Sequence, residues 1–263
     1  MKLGFIGAGN MATAMLKGII DKKIVPAPQI IVSDAAEQAL IKAKELGVQT
    51  TTSNLEVVKQ AKIVILAVKP QYISDVIDEI RYEVGEDTLF ISIVAGKTIA
   101  WFEDKFQIEV KLIRTMPNTP ALVGEGMTGA TPNALVTKEE LNEAIKILES
   151  FGKVELVSEQ LMNVVASVSG SSPAYVFMML EAMADGAVAD GMPRDQAYRF
   201  AAQAVLGSAK LMLDTGMHPG VLKDMVCSPG GTTIEAVRVL EEKGMRSGIM
   251  EAMRACVKKA EKL

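Results

Sequence analysis

The chain has 263 residues, 49% hydrophobic and 23% charged, with a net charge of −4, two cysteines and one histidine. That suits one large globular domain or two ordinary ones, and the acidic balance, with no Lys/Arg run, argues against a nucleic-acid surface. The lone His218 stands beside Pro219-Gly220 in a turn pattern, which argues against a His-rich metal site or a Ser-His-Asp triad, so a bound cofactor should carry most of any chemistry.

Lys2-Leu3-Gly4-Phe5-Ile6 predicts a short buried strand of parallel type, and an apolar helical pattern at Met15, Leu16, Ile19 and Ile20 follows. Between them lies Gly7-Ala8-Gly9-Asn10-Met11-Ala12, a G-x-G-x-x-A sequence. Gly7 permits a sharp turn, Gly9 lets a pyrophosphate approach the backbone, and small Ala12 lets the helix pack close to the strand. The helix start then offers unpaired N–H groups and the positive end of its dipole to phosphates. An ordinary glycine turn reads the same in isolation; the strand before and the helix after make this a dinucleotide site. A strand opening at residue 2 leaves no room for a signal peptide, and Cys227 and Cys256 form no motif, so a cytoplasmic protein is expected.

Pro26-Ala27-Pro28 predicts a loop, and Gln29 to Asp34 a second strand whose end, Ser33-Asp34, is where such folds hold the adenosine ribose. A helix from Ala35 to Leu46, stopped by Gly47, leads to a third strand, Val48 to Thr51, and Ser53-Asn54 resembles an N-cap for the next helix. Ile63 to Val68 is a continuous apolar run, as in a strand buried on both faces, and Pro70 should start a helix over Gln71 to Arg81. Strands over Thr88 to Val94 and Val110 to Thr115 close with Ala95-Gly96 and with Met116-Pro117-Asn118-Thr119-Pro120. Ligands of open parallel sheets sit outside the carboxyl ends of the strands, which places Lys69, Ala95-Gly96 and Asn118 at the cofactor's edge. An ordinary surface lysine and a turn-forming asparagine fit those positions equally well. Met127 to Thr131 and Val154 to Val157 read as edge strands flanking a helix, Thr137 to Ser150, that starts in a capping box with Glu140. The domain boundary is placed near Ser158.

Beyond Glu159 the pattern is helical: Leu161 to Val168, Ala174 to Ala189, Asp195 to Thr215, Val221 to Cys227, Thr233 to Lys243 and Gly248 to Lys262. The uncharged run Gln160 to Leu180 has the length of a membrane span, but Asn163, four serines, Gly170 and Pro173 make it a buried helix, and no membrane is expected. Ser169-Gly170-Ser171-Ser172-Pro173 marks a kink or close packing point. Met178, Met179, Met183 and Met212 lie on apolar faces suited to a core or a subunit interface, so helices shared between subunits are expected. Cys227-Ser228-Pro229-Gly230-Gly231-Thr232-Thr233 joins two helices with free backbone and hydroxyls. It is either a plain capped connector or an anion site suited to a substrate carboxylate.

With these residues together, the chain resembles the pyrroline-5-carboxylate reductases over nearly its whole length. The likeness rests on Gly4 to Met11, Ala67-Val68-Lys69-Pro70, Ala95-Gly96, Met116 to Pro120, Ser169 to Tyr175 and Ser228 to Thr233. The resemblance implies an α/β fold: an N-terminal Rossmann-type parallel-sheet domain, residues 1–158, followed by an all-helical dimerisation and substrate domain, residues 159–263. It implies a homodimer, with further assembly of dimers, and part of the pocket coming from the partner subunit. By position, Ile6, Gly7, Ala8, Gly9, Asn10, Met11, Asn54, Ala67, Val68, Lys69, Pro70, Ala95 and Gly96 would line NADP(H) or NAD(H), beside Ser33 and Asp34 at the ribose. Ser228 and the backbone of Gly230, Gly231 and Thr232 would hold the substrate carboxylate, and Thr233 would hydrogen-bond the ring nitrogen as the catalytic residue. One departure stands out. Where NADPH-preferring relatives carry Ser or Arg for the 2′-phosphate, this chain has Asp34, with no Arg or Lys until Lys42. Appreciable use of NADH is therefore expected.

The expected reaction is reduction of 1-pyrroline-5-carboxylate to L-proline with NAD(P)H, the last step of proline biosynthesis. A cyclic imine takes a proton from water more easily than a carbonyl does, so a strong general acid is dispensable, and positioning with a hydroxyl donor can suffice. The rivals are a 3-hydroxyacid or imine dehydrogenase of similar build, and a non-catalytic dinucleotide sensor.

Overall fold

The computed structural model of the chain describes residues 3–261; Lys2, expected to open the first strand, and Lys262, expected to close the last helix, lie outside the described residues. Six strands, β1 (Leu3–Ile6), β2 (Ile30–Ser33), β3 (Gln49–Thr51), β4 (Ile63–Leu66), β5 (Leu89–Ser92) and β6 (Lys111–Met116), pair in parallel. Helices α1 (Asn10–Asp21), α2 (Glu37–Glu45), α3 (Asn54–Gln60), α4 (Ile73–Ile80) and α5 (Ile99–Phe106) connect them in turn. A last pair, β7 (Gly126–Pro132) and β8 (Gly152–Leu156), is joined by α6 (Lys138–Leu148) and completes the order β3-β2-β1-β4-β5-β6-β7-β8.

Strands β1, β2, β4 and β5 are buried at every position because both faces are covered. Leu3, Phe5, Ile30, Val32, Ile63 and Ile65 pack on one face with Met15, Leu16 and Ile19 of α1 and Ile147 of α6. Ile6, Ile31, Val64, Leu66 and Phe90 pack on the other with Val57, Ile73, Ile77 and Phe102 of α3, α4 and α5. The caps are local. Ser53 accepts from the Glu56 N–H, Thr98 from the Trp101 N–H, and Thr137 with Glu140 forms the capping box.

Several expectations shift. Ala67 and Val68 have already left the strand, and α4 begins at Ile73, not at Gln71. The cause is a turn in which the Tyr72 N–H donates to the Lys69 carbonyl at 2.9 Å, with Pro70 pre-set for its second position. Pro26-Ala27-Pro28 is not a plain loop, since one 3₁₀ turn covers Ala27–Gln29. β7 is not an edge strand: the short connection after β6 reverses the chain, so β7 runs antiparallel to β6, and the α6 crossover then lays β8 parallel outside it. Leu161 to Val168 is not one helix. A single α-helical turn, α7 (Met162–Val165), opens into a π turn over Ala166–Gly170, closed by the Ser171 N–H on the Ala166 carbonyl at 2.8 Å.

By contact the chain divides into two compact units, Met1–Ser171 with Cys256–Leu263, and Ser172–Ala255. The second is built from α8 (Ser172–Ala189), α9 (Arg194–Thr215), α10 (Pro219–Val226), α11 (Thr232–Glu242) and the start of α12 (Met245–Ala260). α12 begins three residues before the expected Gly248, because Gly244, at φ +74°, ends the preceding connection and the helix resumes at once. Within the helical unit the buried apolar residues are small, Ala184, Ala197 and Ala201, while Phe177 is 64%, Met178 70%, Phe200 67% and Leu213 83% exposed.

Two measurements follow from this packing. Arg114 of β6, its side chain 5% exposed, donates to Glu159 at 2.8 Å, and the same carboxylate oxygen accepts the Ile99 N–H at the start of α5 at 2.7 Å. Glu159→Ala strands a buried guanidinium and an N–H, so thermal or urea unfolding should show a loss of about 2–4 kcal/mol, with a loss under 1 marking the pair as dispensable. The bare apolar faces of α8 and α9 predict self-association. Light scattering at micromolar concentration should give at least a dimer, and a monodisperse monomer would contradict this.

Candidate functional site

β1 lies at the centre of the parallel sheet between β2 and β4, where the strand order reverses and ligands of open α/β sheets bind. The carboxyl ends of β1, β2, β4 and β5 bring Ile6 to Met11, Ser33-Asp34, Ala67 to Pro70 and Ala95-Gly96 to one edge. Two backbone bonds lock this edge: the Gly7 N–H donates to the Ser33 carbonyl and the Ala67 N–H to the Ile6 carbonyl, both at 2.8 Å. Gly7 is obligatory. It sits at φ +104°, and an added Cβ would lie 2.6 Å from the Ala67 carbonyl oxygen.

The opposite holds at Gly9, where an added Cβ would meet nothing within 4 Å. Gly9 is also the N-cap of α1, so the first N–H groups of the helix have no side-chain acceptor. An uncapped helix start with a bare backbone beside it fits a pyrophosphate. The residues present therefore fit a dinucleotide.

Asp34 is half-buried at the end of β2, and both of its carboxylate oxygens are engaged. Oδ2 accepts the Ala8 N–H at 2.7 Å and Oδ1 the Ala36 N–H at 2.8 Å. Ser33, fully buried, donates its hydroxyl to Asn54 Oδ1 at 2.7 Å, and Asn54 Nδ2 donates to Glu79 on α4 at 2.7 Å. Asn54 is thus the first residue of α3 and a bridge; the cap is Ser53 alone. Glu79 and the Ala36 N–H escape sequence reasoning, because neither has a motif and both pairings arise only from how the helices sit on the sheet.

Lys69 is exposed, and Ala95 and Gly96 are half-buried at the end of β5. Asn118 lies past the carboxyl end of β6, as topology requires, but its buried amide is committed to structure. It donates to the Ser169 carbonyl at 3.0 Å and accepts the Met127 N–H at 2.8 Å, bracing the π turn against β7. The turn-forming role is therefore closer to the finding than cofactor contact.

The second motif belongs to the helical unit. The Gly231 N–H donates to the Ser228 carbonyl at 3.0 Å, and Gly230 takes φ +67° to make that turn. Gly231 is the N-cap of α11 and again supplies no side-chain cap. Thr232 is the first helical residue; Thr233 is half-buried, and Ser228 is exposed. The loop thus brings Ser228, Gly230, Gly231, Thr232 and Thr233 together around an uncapped helix start. His218 is far from such chemistry in role: it caps α10, its Nδ1 accepting the Gly220 N–H at 3.1 Å. Among the described residues no group of three or more His, Cys, Asp or Glu side chains could hold a metal, Cys227 and Cys256 are free thiols, and no helix is long and apolar enough to cross a membrane.

Comparison with known proteins agrees with both halves. A family model for pyrroline-5-carboxylate reductase dimerisation matches residues 159–263, and one for NADP oxidoreductase, coenzyme F420-dependent, matches residues 2–96. The pyrroline-5-carboxylate reductase of Escherichia coli (strain K12) is 51% identical over 263 residues, covering 100% of this chain and 98% of the relative. Among solved structures, a pyrroline-5-carboxylate reductase from Coxiella burnetii superposes with TM-score 0.92 at 36% identity, covering 99% of this chain and 97% of that one. The Plasmodium falciparum pyrroline carboxylate reductase with NADP bound gives 0.91 at 29% identity, with the same coverage. Two matching motifs, one fold and full-length similarity make this an NAD(P)H-dependent oxidoreductase with a homodimer-forming C-terminal part, and the chain belongs to the pyrroline-5-carboxylate reductase family.

Proposed function

We propose that this chain, which reduces the C=N bond of 1-pyrroline-5-carboxylate to give L-proline in the last step of proline biosynthesis, does so by positioning and a hydroxyl donor without a charged acid. Bound NAD(P)H would supply the hydride. The observation that carries the reading is the Ser228 to Thr233 loop, with an uncapped helix N-terminus and three hydroxyls beside it. The N–H groups at the start of α11 and the Ser228 hydroxyl suit a carboxylate, through fixed dipoles and charge-assisted hydrogen bonds. Thr233 is one position into the helix, so its hydroxyl is held close to whatever that carboxylate anchors. It is the group assigned to the ring nitrogen.

The chemistry fits that inventory. As the imine carbon accepts the hydride, the nitrogen gains a lone pair and must end protonated. A hydroxyl hydrogen bond to it strengthens along that path, which is what lowers a barrier. Residues 1–158 serve as the dinucleotide-binding part in this reading, with Ile6 to Met11, Ser33, Asp34, Asn54, Ala67 to Pro70, Ala95 and Gly96 around the cofactor, and residues 159–263 as the dimerisation and substrate part. It also takes the protein as cytoplasmic, without nucleic-acid or membrane partners, and its dimers as capable of further assembly.

Mixing the protein with pyrroline-5-carboxylate and NADH or NADPH should consume nicotinamide absorbance, and no consumption with either cofactor would refute the reaction. Thr233→Val should lower kcat/KM about 10- to 100-fold, the equivalent of a hydrogen bond worth about 1.5–3 kcal/mol, while Thr233→Ser keeps most of the rate. NAD(P)H binding, followed alone by fluorescence, should barely change. Near-wild-type turnover in the valine variant would reduce Thr233 to a helix-start residue and assign the proton to water.

A further inference from the structure

The two carboxylate bonds of Asp34 have a bearing on which dinucleotide enters. Backbone N–H groups at the end of β2 and in the adjoining glycine loop are what an anion placed there would use. Here both are taken. Ala8 donates to one oxygen and Ala36 to the other, at 2.7 and 2.8 Å, so the side chain is fixed by two anchors on different segments. Two further carboxylates stand on the segments that meet here. Glu37 opens α2, and Glu79 is drawn to the neighbouring Asn54 amide at 2.7 Å. The cations of this stretch, Lys42 and Lys44, lie in the last turn of α2.

Resting on the reading of this edge as the dinucleotide site, we propose that Asp34 is the cofactor-specificity residue, and that it acts as the chain's own anion: it fills the donor pair that a ribose 2′-phosphate would need and makes the enzyme prefer NADH. Two effects then oppose NADPH together. A phosphate carrying about two negative charges meets a carboxylate that forms no ion pair among the described residues, and it finds the backbone donors occupied. A ribose bearing two hydroxyls meets neither obstacle. A carboxylate held by one bond at each oxygen still has lone pairs to accept from both hydroxyls, and its two anchors remove the entropy of orienting it. Glu79 adds to the repulsion from one side through Asn54, as a smaller contribution screened by solvent.

Fluorescence titration of the full-length protein with NADH and with NADPH, in the absence of any imine, tests this without relying on turnover. Wild type should bind NADH at least about tenfold more tightly than NADPH. Asp34→Ser frees the N–H pair and removes the charge, so NADPH affinity should rise about tenfold or more while NADH affinity falls. Asp34→Asn keeps an acceptor against one N–H but no charge, and should lie between the two. Glu79→Gln should move the ratio by no more than about threefold toward NADPH. Wild type binding NADPH as tightly as NADH would overturn the assignment, and so would an Asp34→Ser ratio equal to that of wild type. Binding of neither dinucleotide would refute the site itself, and normal binding without imine reduction would refute the reaction alone.

Discussion

The structure depends on how closely β1 is held between its two neighbours at their carboxyl ends. Gly7 donates to β2 through Ser33, and the residue before it accepts from Ala67 just beyond β4. A side chain at position 7 would drive into the Ala67 carbonyl, so the turn can be made there only by glycine. That single close approach turns the chain into α1, which packs on one face of the sheet and begins without a side-chain cap. It also brings the ends of β2 and β4 within reach of one ligand. The geometry that makes a dinucleotide site is thus the geometry that lets three parallel strands end together.

The same device recurs at α11. Both helices start at a glycine with no capping side chain, where Ser53, Thr98 and Thr137 cap α3, α5 and α6 in the same chain. A glycine at the N-cap forgoes only about a few tenths of a kcal/mol relative to a capping side chain. Helices α2, α4, α7 and α9 also lack a side-chain cap, and α1 and α11 differ from them in having glycine at the N-cap position. The helical unit tolerates this because its stability is not local: with large apolar residues exposed along α8 and α9, much of its burial has to come from self-association.

Strands β1 to β6 and the helices between them are legible in the sequence because runs such as Ile63 to Leu66 are apolar at every position, which only a sheet covered on both faces requires. The glycine loop is legible for the same reason that it is obligatory. β7 reads as an edge strand in the sequence because its two pairings are decided by the direction of the short connection after β6, which composition does not encode. The π turn was visible only as an interruption of small polar residues, without its closing bond. Asp34 could be placed at the ribose by position, but its bonds to Ala8 and Ala36 depend on a turn of the chain. Glu79 carried no signal at all, since it meets Asn54 only where α3 and α4 lie side by side.

What the chain lacks bears on its chemistry as much as what it holds. Its one histidine is spent on capping α10, and the segments Gly7 to Ala12 and Ser228 to Thr233 contain no Asp, Glu, Lys or Arg. A carbonyl reductase with that inventory would be poor, since an alkoxide must be protonated as it forms. An imine differs: reduction leaves an amine, basic enough to take its proton from a hydroxyl or from water. The demand on the protein then falls on orientation, which fixed backbone donors supply without reorganising during the reaction. The use of the lone histidine as a cap and the glycine N-caps of α1 and α11 thus fit one reading, in which fixed backbone dipoles hold ligands in place.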